Sequence, residues 1–398
     1  MYANFKFDTL PTGRLGLIAL EGASGLGKKV DDWLVQWRKE RDFSRMDGHA
    51  YEGYSRDTFQ IKCQAPRFGS GEGKGQIDGS IRGDDLYILV DVCNYSLTYQ
   101  LGKNRNIMSP DDHFQDLKRI IAAVGGKARR VNVIMPYLYE SRIIIRDVRE
   151  SLDCATALHE LINMGVENII TFDAHDSRIQ NATPLSGFET IQPSYQLIKA
   201  LLNNVAGLSI HKDHFMVVSP DEGSMDRAIY LANVLGVGMG MFYKRLDYTR
   251  KLKGGRHPVA AYEFLGPDLK QKDILVVDDM ISSGDTMIEV ATHLKERGAG
   301  RIFLSSTFGH FTDGLEKFDK AFEMGLFEKV FTTNLIYQRP ELLEKPWYIS
   351  VDLSKYIALI IDTLNHDLSV SHLLNPVEKI KNKVRKYMES DAASSVNA

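Results

Sequence analysis

Two adjacent carboxylates, Asp278 and Asp279, precede a small polar run, Ser282-Ser283-Gly284-Asp285-Thr286, and no other stretch of this chain is better suited to chemistry. The backbone N–H groups of such a turn, at the mouth of a helix, can hold a phosphate. The two acids can accept bonds from sugar hydroxyls or reach a metal ion. With acids and anion site on opposite sides of the turn, like charges stay apart. The positioning elements follow from the flanking residues. The continuous apolar run 274–277 predicts a strand buried on both faces of a parallel sheet, stopping at the acid pair. After the turn, Met287, Val290, Ala291 and Leu294 share one helical face, and Gly298 supplies a stop. Strand, acids, small turn and helix together suit a sugar phosphate.

Other segments carry compatible chemistry. The run 215–219 leads into Asp221-Glu222-Gly223-Ser224, a second strand, acid and glycine-containing turn. Asp221 is placed to meet a phosphate-bearing group or its metal, with Gly223 and Ser224 offering backbone N–H groups. Two such units in one α/β domain point to a shared ligand cleft. The run 169–172 ends in Asp173-Ala174-His175-Asp176. Alternation along a strand would turn Asp173 and His175 the same way. There an imidazole can bind Mg²⁺ or hydrogen-bond a phosphate, although Mg²⁺ prefers oxygen. Lys244 and Arg245 close a strand ahead of a basic, glycine-containing stretch, 246–257, that reads as a lid. Cations so placed can stabilise a transferring phosphoryl group. Arg142 and Arg146 suit phosphate forks or adenine stacking. The segment from Gly22 to Lys29 nearly matches a P-loop, but Lys29 replaces the hydroxyl that would bind Mg²⁺. It reads as a plain strand, turn and helix.

The 398 residues suffice for two or three domains. A net charge of −3 argues against nucleic acid as partner. Three scattered cysteines form neither a disulfide framework nor a zinc site. No signal pattern opens the chain and no apolar run approaches membrane-spanning length, so the cytosol is expected and no membrane partner. Buried-strand candidates lie at 15–20, 86–90, 131–135, 169–172, 215–219, 274–277 and 301–307. Helical spacing marks 114–124, 153–164, 195–205, 226–235 and 286–297. Alternation of this kind means βαβ units. The strands are too many for one sheet, so two α/β domains are expected, dividing within 187–195. The Ser/Ala-rich end, 391–398, is expected to be disordered.

Taken in order, the segments resemble the ribose-phosphate pyrophosphokinase (phosphoribosyl-diphosphate synthetase) family over roughly residues 15–374. Arg67-Phe68 through Glu72, Gln76-Ile77 and Ser80-Ile81-Arg82-Gly83 resemble a run that supplies ATP contacts from a neighbouring subunit. Pro136-Tyr137 through Arg142, Asp173-x-His175, Ser219-Pro220-Asp221-x-Gly223 and Lys244-Arg245 match further family segments in order. The Asp278–Thr286 loop resembles the ribose-5-phosphate site. The resemblance implies two phosphoribosyltransferase-like domains, 1–190 and 191–374, each a mostly parallel sheet flanked by helices. The closing helix of the second returns to the first, and 375–398 adds a helix and tail. It implies Phe68, Glu72, Arg142 and His175 at ATP. His175 and Asp221 fall at Mg²⁺, and Lys244 and Arg245 in catalysis. Asp278, Asp279, Ser282, Ser283, Gly284, Asp285 and Thr286 surround ribose 5-phosphate. It further implies a homo-oligomer, a hexamer by resemblance.

The reaction so implied transfers the β,γ-diphosphoryl group of Mg-ATP to the anomeric hydroxyl of ribose 5-phosphate, releasing AMP. This sequence departs from the family at Ser70, at 143–145, at Leu246, and at Ser282 and Asp285. Asp285 sets a negative charge beside the expected phosphate, and Arg146, Arg250 and Lys251 are the cations available to offset it. The residues also admit a non-catalytic relative that regulates a true synthetase, and a phosphoribosyltransferase that consumes its product.

Overall fold

The computed structural model describes residues 9–41, 53–143, 146, 149–246 and 259–396. The side chains of 244–246, 259–261, 372 and 391–396 are outside that description. The chain divides into two compact units. The first holds Met1–Gln192, Asn334–Tyr337 and Asp352–Asn375, and the second Pro193–Thr333, Gln338–Val351 and Pro376–Ala398.

In the first unit five strands pair in parallel: Arg14–Ala19, Asp84–Leu89, Arg130–Ile134, Asn168–Phe172 and Gly187–Ile191, in that spatial order. Leu17 pairs with Tyr87, Ile88 with Val133, and Val133 with Ile169. Their apolar side chains are buried because helices cover a parallel sheet. One of these, Pro110–Val124, opens with a capping box between Ser109 and Asp112 and with Pro110 at its first position. The near-P-loop segment folds as strand, short 3-10 turn and helix Ser24–Glu40. Its Lys28 and Lys29 pair with Asp32 and Asp352.

A buried polar cluster joins this helix to Ser354–Asn365. Asp362 accepts from Arg38 at 2.9 Å and from Arg41. Arg38 also donates to Asn365 at 2.6 Å, and Asn365 to Asp85 at 2.9 Å. Arg130 grips Asp85 at 2.7 and 2.9 Å. Arg41 donates to the Tyr54 hydroxyl, which leaves that hydroxyl to donate to Nε2 of His366 at 3.2 Å. Nδ1 of His366 then donates to the Asp362 carbonyl at 2.7 Å. Burial lowers the His366 pKa to about 4, so the imidazole is neutral.

The second unit carries seven strands in the order Val259–Leu265, Gly238–Leu246, Phe215–Ser219, Asp273–Ile281, Ile302–Gly309, Lys329–Thr333 and Tyr348–Val351. Only the first pair is antiparallel. The run 274–277 is the buried middle of a longer strand, for Asp273–Ile281 continues through both acids. Asp278 pairs with Ser306 and Met280 with Phe308, and this ladder carries the strand past the acid pair. The last helix, Val377–Val396, lies on Ser194–Asn204 and Met225–Leu235. Ile380 is buried there, and the Tyr387 hydroxyl donates to the Val205 carbonyl at 2.8 Å. The helical backbone extends through Asp391–Val396, contrary to the disorder expected of that end. Ala and Ser at its close tolerate a helix already nucleated on a packed face.

Candidate functional site

From the central pair Phe215–Ser219 and Asp273–Ile281 the sheet grows in opposite directions. Gly238–Leu246 and Val259–Leu265 lie on one side, and Ile302–Gly309 and its followers on the other. A reversal of this kind opens a crevice beyond the carboxyl ends of the two central strands. Asp221 follows one of those ends, and Asp278 and Asp279 occupy the other. The expected convergence of the two acid-and-turn units is therefore a consequence of strand order.

The acids act on one another. Burial and the neighbouring Asp279 and Asp221 push the Asp278 pKa well above the usual carboxylate range. Ser224 donates its hydroxyl to Asp278, and the Asp279 N–H donates to the same oxygen at 2.8 Å. Arg227, at the start of the helix Met225–Leu235, brings a guanidinium nitrogen to 4.0 Å from Asp279. Gly223 was expected to offer its N–H to a ligand, but it donates to Asp221 at 3.0 Å. An Asx turn after the strand explains the difference. Ser224 contributes its side chain rather than only its backbone.

The turn 282–286 is built for close approach. Gly284 takes φ 92 as N-cap of the helix Asp285–Glu296, and a Cβ there would run into the Phe318 ring. The first-turn N–H groups of Thr286 and Met287 have no intrahelical carbonyl to donate to. Such groups at a helix mouth can bind an anion. Asp285 accepts from Ser283 Oγ at 2.8 Å and from Lys317 Nζ at 2.6 Å. Lys317 and Ser283 hold its carboxyl below the usual range. Among the described residues, the cation facing Asp285 is Lys317. Of the three expected from sequence, Arg250 and Lys251 lie outside the described residues, and Arg146 is an exposed residue of the first unit.

Lys244 and Arg245 sit on Gly238–Leu246, paired antiparallel with Tyr262 and Ala261, and the register shifts between Arg245 and Leu246. Their side chains, and all of the expected lid 246–257 after Leu246, are outside the described residues.

Within the first unit, Phe68 is 56% exposed at the tip of a tight turn closed by the Gly71 N–H to the Phe68 carbonyl at 2.8 Å. Ser70 Oγ donates to the exposed Glu72 at 2.8 Å. Arg67 is instead committed to Asp116, at 2.5 and 2.9 Å. Arg142 is exposed. His175 is exposed while Asp173 is buried, accepting from Gln192 at 2.8 Å. The strand ends at Phe172 and Asp173 takes φ 40. That left-handed residue breaks the alternation that would have turned Asp173 and His175 the same way.

Among the described residues no three His, Cys, Asp or Glu side chains group as a protein cage for a metal. Mg²⁺ does not require one. It keeps water and takes one or two carboxylates together with substrate phosphates. The oxygen donors around Asp221, which raise the pKa of Asp278, fit such an ion. Also among the described residues, no helix is long and apolar enough to cross a membrane.

Residues 17–165 match the N-terminal domain of ribose phosphate pyrophosphokinase, and residues 185–337 the phosphoribosyl transferase domain. A ribose-phosphate pyrophosphokinase from Vibrio parahaemolyticus is 26% identical over 313 residues, 78% of this chain and 90% of that protein. One from Mycoplasma genitalium is 28% identical over 326 residues, 81% of this chain and 90% of that protein. The crystal structure of phosphoribosylpyrophosphate synthetase from Mycobacterium smegmatis superposes with a TM-score of 0.68 at 20% identity. It covers 89% of this chain and 99% of its own, and it supports the two-unit α/β fold.

Proposed function

The chain belongs to the ribose-phosphate pyrophosphokinase family, and from that premise we propose that it makes 5-phosphoribosyl 1-diphosphate and AMP from ATP and ribose 5-phosphate. The observation that carries the reading is the Asp278–Asp279 pair near the carboxyl end of its strand, beside Asp221 and followed by the Gly284-capped helix.

The 5-phosphate is held by the N–H groups of the turn 282–286 and the helix dipole. Asp279 and Asp278 face the sugar hydroxyls. Asp278, its carboxyl pushed up by burial and by Asp279 and Asp221, donates to a hydroxyl oxygen, and Asp279 accepts a hydrogen bond from a hydroxyl. A donor and an acceptor side by side distinguish the two faces of a diol. The anomeric oxygen forms a bond to the β-phosphorus of ATP, and the bond from that phosphorus to the oxygen bridging to the α-phosphate breaks. AMP leaves with the electron pair, and the anomeric proton is lost to solvent. Lys244 and Arg245 stabilise the charge that develops on the transferring group. Phe68, Glu72, Arg142 and His175 are assigned to ATP by the family resemblance. Mg²⁺, when bound, neutralises phosphate charge, and Asp221 and His175 are the residues assigned to it. Assembly with further copies of the chain, without nucleic acid or membrane, and a cytosolic location complete the reading.

The test is purified protein with Mg²⁺, ATP and ribose 5-phosphate, assayed for AMP. Formation of AMP that depends on ribose 5-phosphate is expected. Its absence across a range of phosphate and metal concentrations would favour a non-catalytic relative that keeps the fold.

A further inference from the structure

Asp285 stands at the first position of the helix whose N-terminus is assigned to the sugar phosphate. An acid there is favoured by the helix dipole, and so it competes with a bound anion for the same positive potential. Free to move, its carboxylate would sit against the phosphate. The structure supplies a restraint from elsewhere in the unit. Lys317, on the helix Glu316–Glu323, donates to Asp285 at 2.6 Å and to Asp313 at 3.2 Å. Its side chain is 27% exposed, whereas that of Asp285 is 70% exposed and so turned toward solvent. The next residue, Phe318, is fully buried and backs Gly284. One short helix therefore fixes both halves of the turn, its glycine by packing and its acid by charge.

We propose that Lys317 is a positioning and charge-compensating residue for sugar-phosphate binding, holding Asp285 outward and cancelling its charge so that the turn accepts an anion. The inference rests on the reading of this turn as the ribose-phosphate site. Without Lys317 the charge of Asp285 loses the cation that faces it, and a dianionic phosphate is repelled. Because the pair is partly exposed, salt moderates the effect.

The experiment is calorimetric titration of ribose 5-phosphate into the full-length native protein and the variants Lys317→Met, Lys317→Arg and Asp285→Gly/Lys317→Met. Unfolding midpoints and, where AMP is formed, steady-state kinetics accompany it. Lys317→Met should weaken binding roughly five- to tenfold at low ionic strength. KM for ribose 5-phosphate should rise accordingly, with kcat within about twofold. Lys317→Arg should keep native affinity. The double variant should recover it, since removing the acid removes the need for the cation. A fold lesion would not be rescued by deleting Asp285. Native-like affinity in Lys317→Met, or a double variant as weak as the single one, would overturn the proposal and leave the site assignment intact. A native protein that binds no ribose 5-phosphate would overturn both.

Discussion

Two groups of buried carboxylates, one in each unit, are treated in opposite ways. In the first, Asp85 is held by Arg130, and Asp362 by Arg38 and Arg41. The arginines hold the Asp362 carboxyl below its ordinary range although it is fully buried. In the second, Asp278 is surrounded by Asp279, Asp221 and a serine hydroxyl, and its carboxyl is pushed up. Carboxylates matched with guanidinium groups hold helices to a sheet. Carboxylates set against one another suit an outside cation or hydroxyl. Position on the sheet decides which is which. Asp85 and its arginine lie at the amino ends of their strands, whereas Asp278 and Asp279 lie near the carboxyl end of theirs.

The contrast is broken most severely from the first unit. Arg38→Met leaves Asp362 buried with one cation fewer, and stability should fall by about 3–5 kcal/mol. Urea unfolding measures this, and turnover per folded molecule should be unchanged. Asp279→Asn should do the reverse. Its midpoint should match the native one within error, while turnover falls roughly a hundredfold, or about 3 kcal/mol at the transition state. An Asp279→Asn protein with unimpaired turnover would remove the distinction between the units.

The pH dependence of stability separates His366 from Asp278 by sign. His366 has a folded pKa of about 4 against an ordinary 6.5. Its contribution is present above the ordinary value and is lost as pH falls through the folded one, up to about 3 kcal/mol. Asp278 is raised, so its contribution is present at low pH and lost as pH rises through the folded value. Asp91, buried in the first unit and lifted to about 7, slopes with Asp278 rather than with His366. Difference curves therefore isolate each group. His366→Gln should flatten the acid limb between about 6.5 and 4. Asp278→Asn should raise the unfolding midpoint at pH 8. The smallest effect is expected of Ser224→Ala, which removes one hydroxyl donor and should lower stability by about 1 kcal/mol. With that donor gone, the Asp278 carboxyl should titrate higher still.

Much of this site was legible because its parts are contiguous. A buried apolar run, an acid pair and a small turn predict strand, acids and helix mouth in that order, and the order holds although the strand runs on through the acids to Ile281. The strand-helix alternation likewise predicted two α/β units. What escaped the sequence depends on separations that carry no periodic signal. Lys317 meets Asp285 across 32 residues and Arg38 meets Asp362 across 324. Nothing in the local pattern of either member names its partner. The short strands Lys329–Thr333 and Tyr348–Val351 were also missed. Thr332 and Thr333 and the alternation of Tyr348 to Val351 do not form the long apolar run that marked the central strands. Asp173 failed in the other direction, since alternation was carried on to His175, well past the strand's end at Phe172.

Phosphorus NMR of the native protein and Asp279→Asn, each incubated with Mg²⁺, ATP and ribose 5-phosphate, tests the assignment of the second unit's acid pair most directly. The account predicts AMP and a diphosphate on the anomeric carbon from the native protein, and neither at a comparable rate from the variant. ADP with a singly transferred phosphate, or equal rates from both proteins, would contradict it.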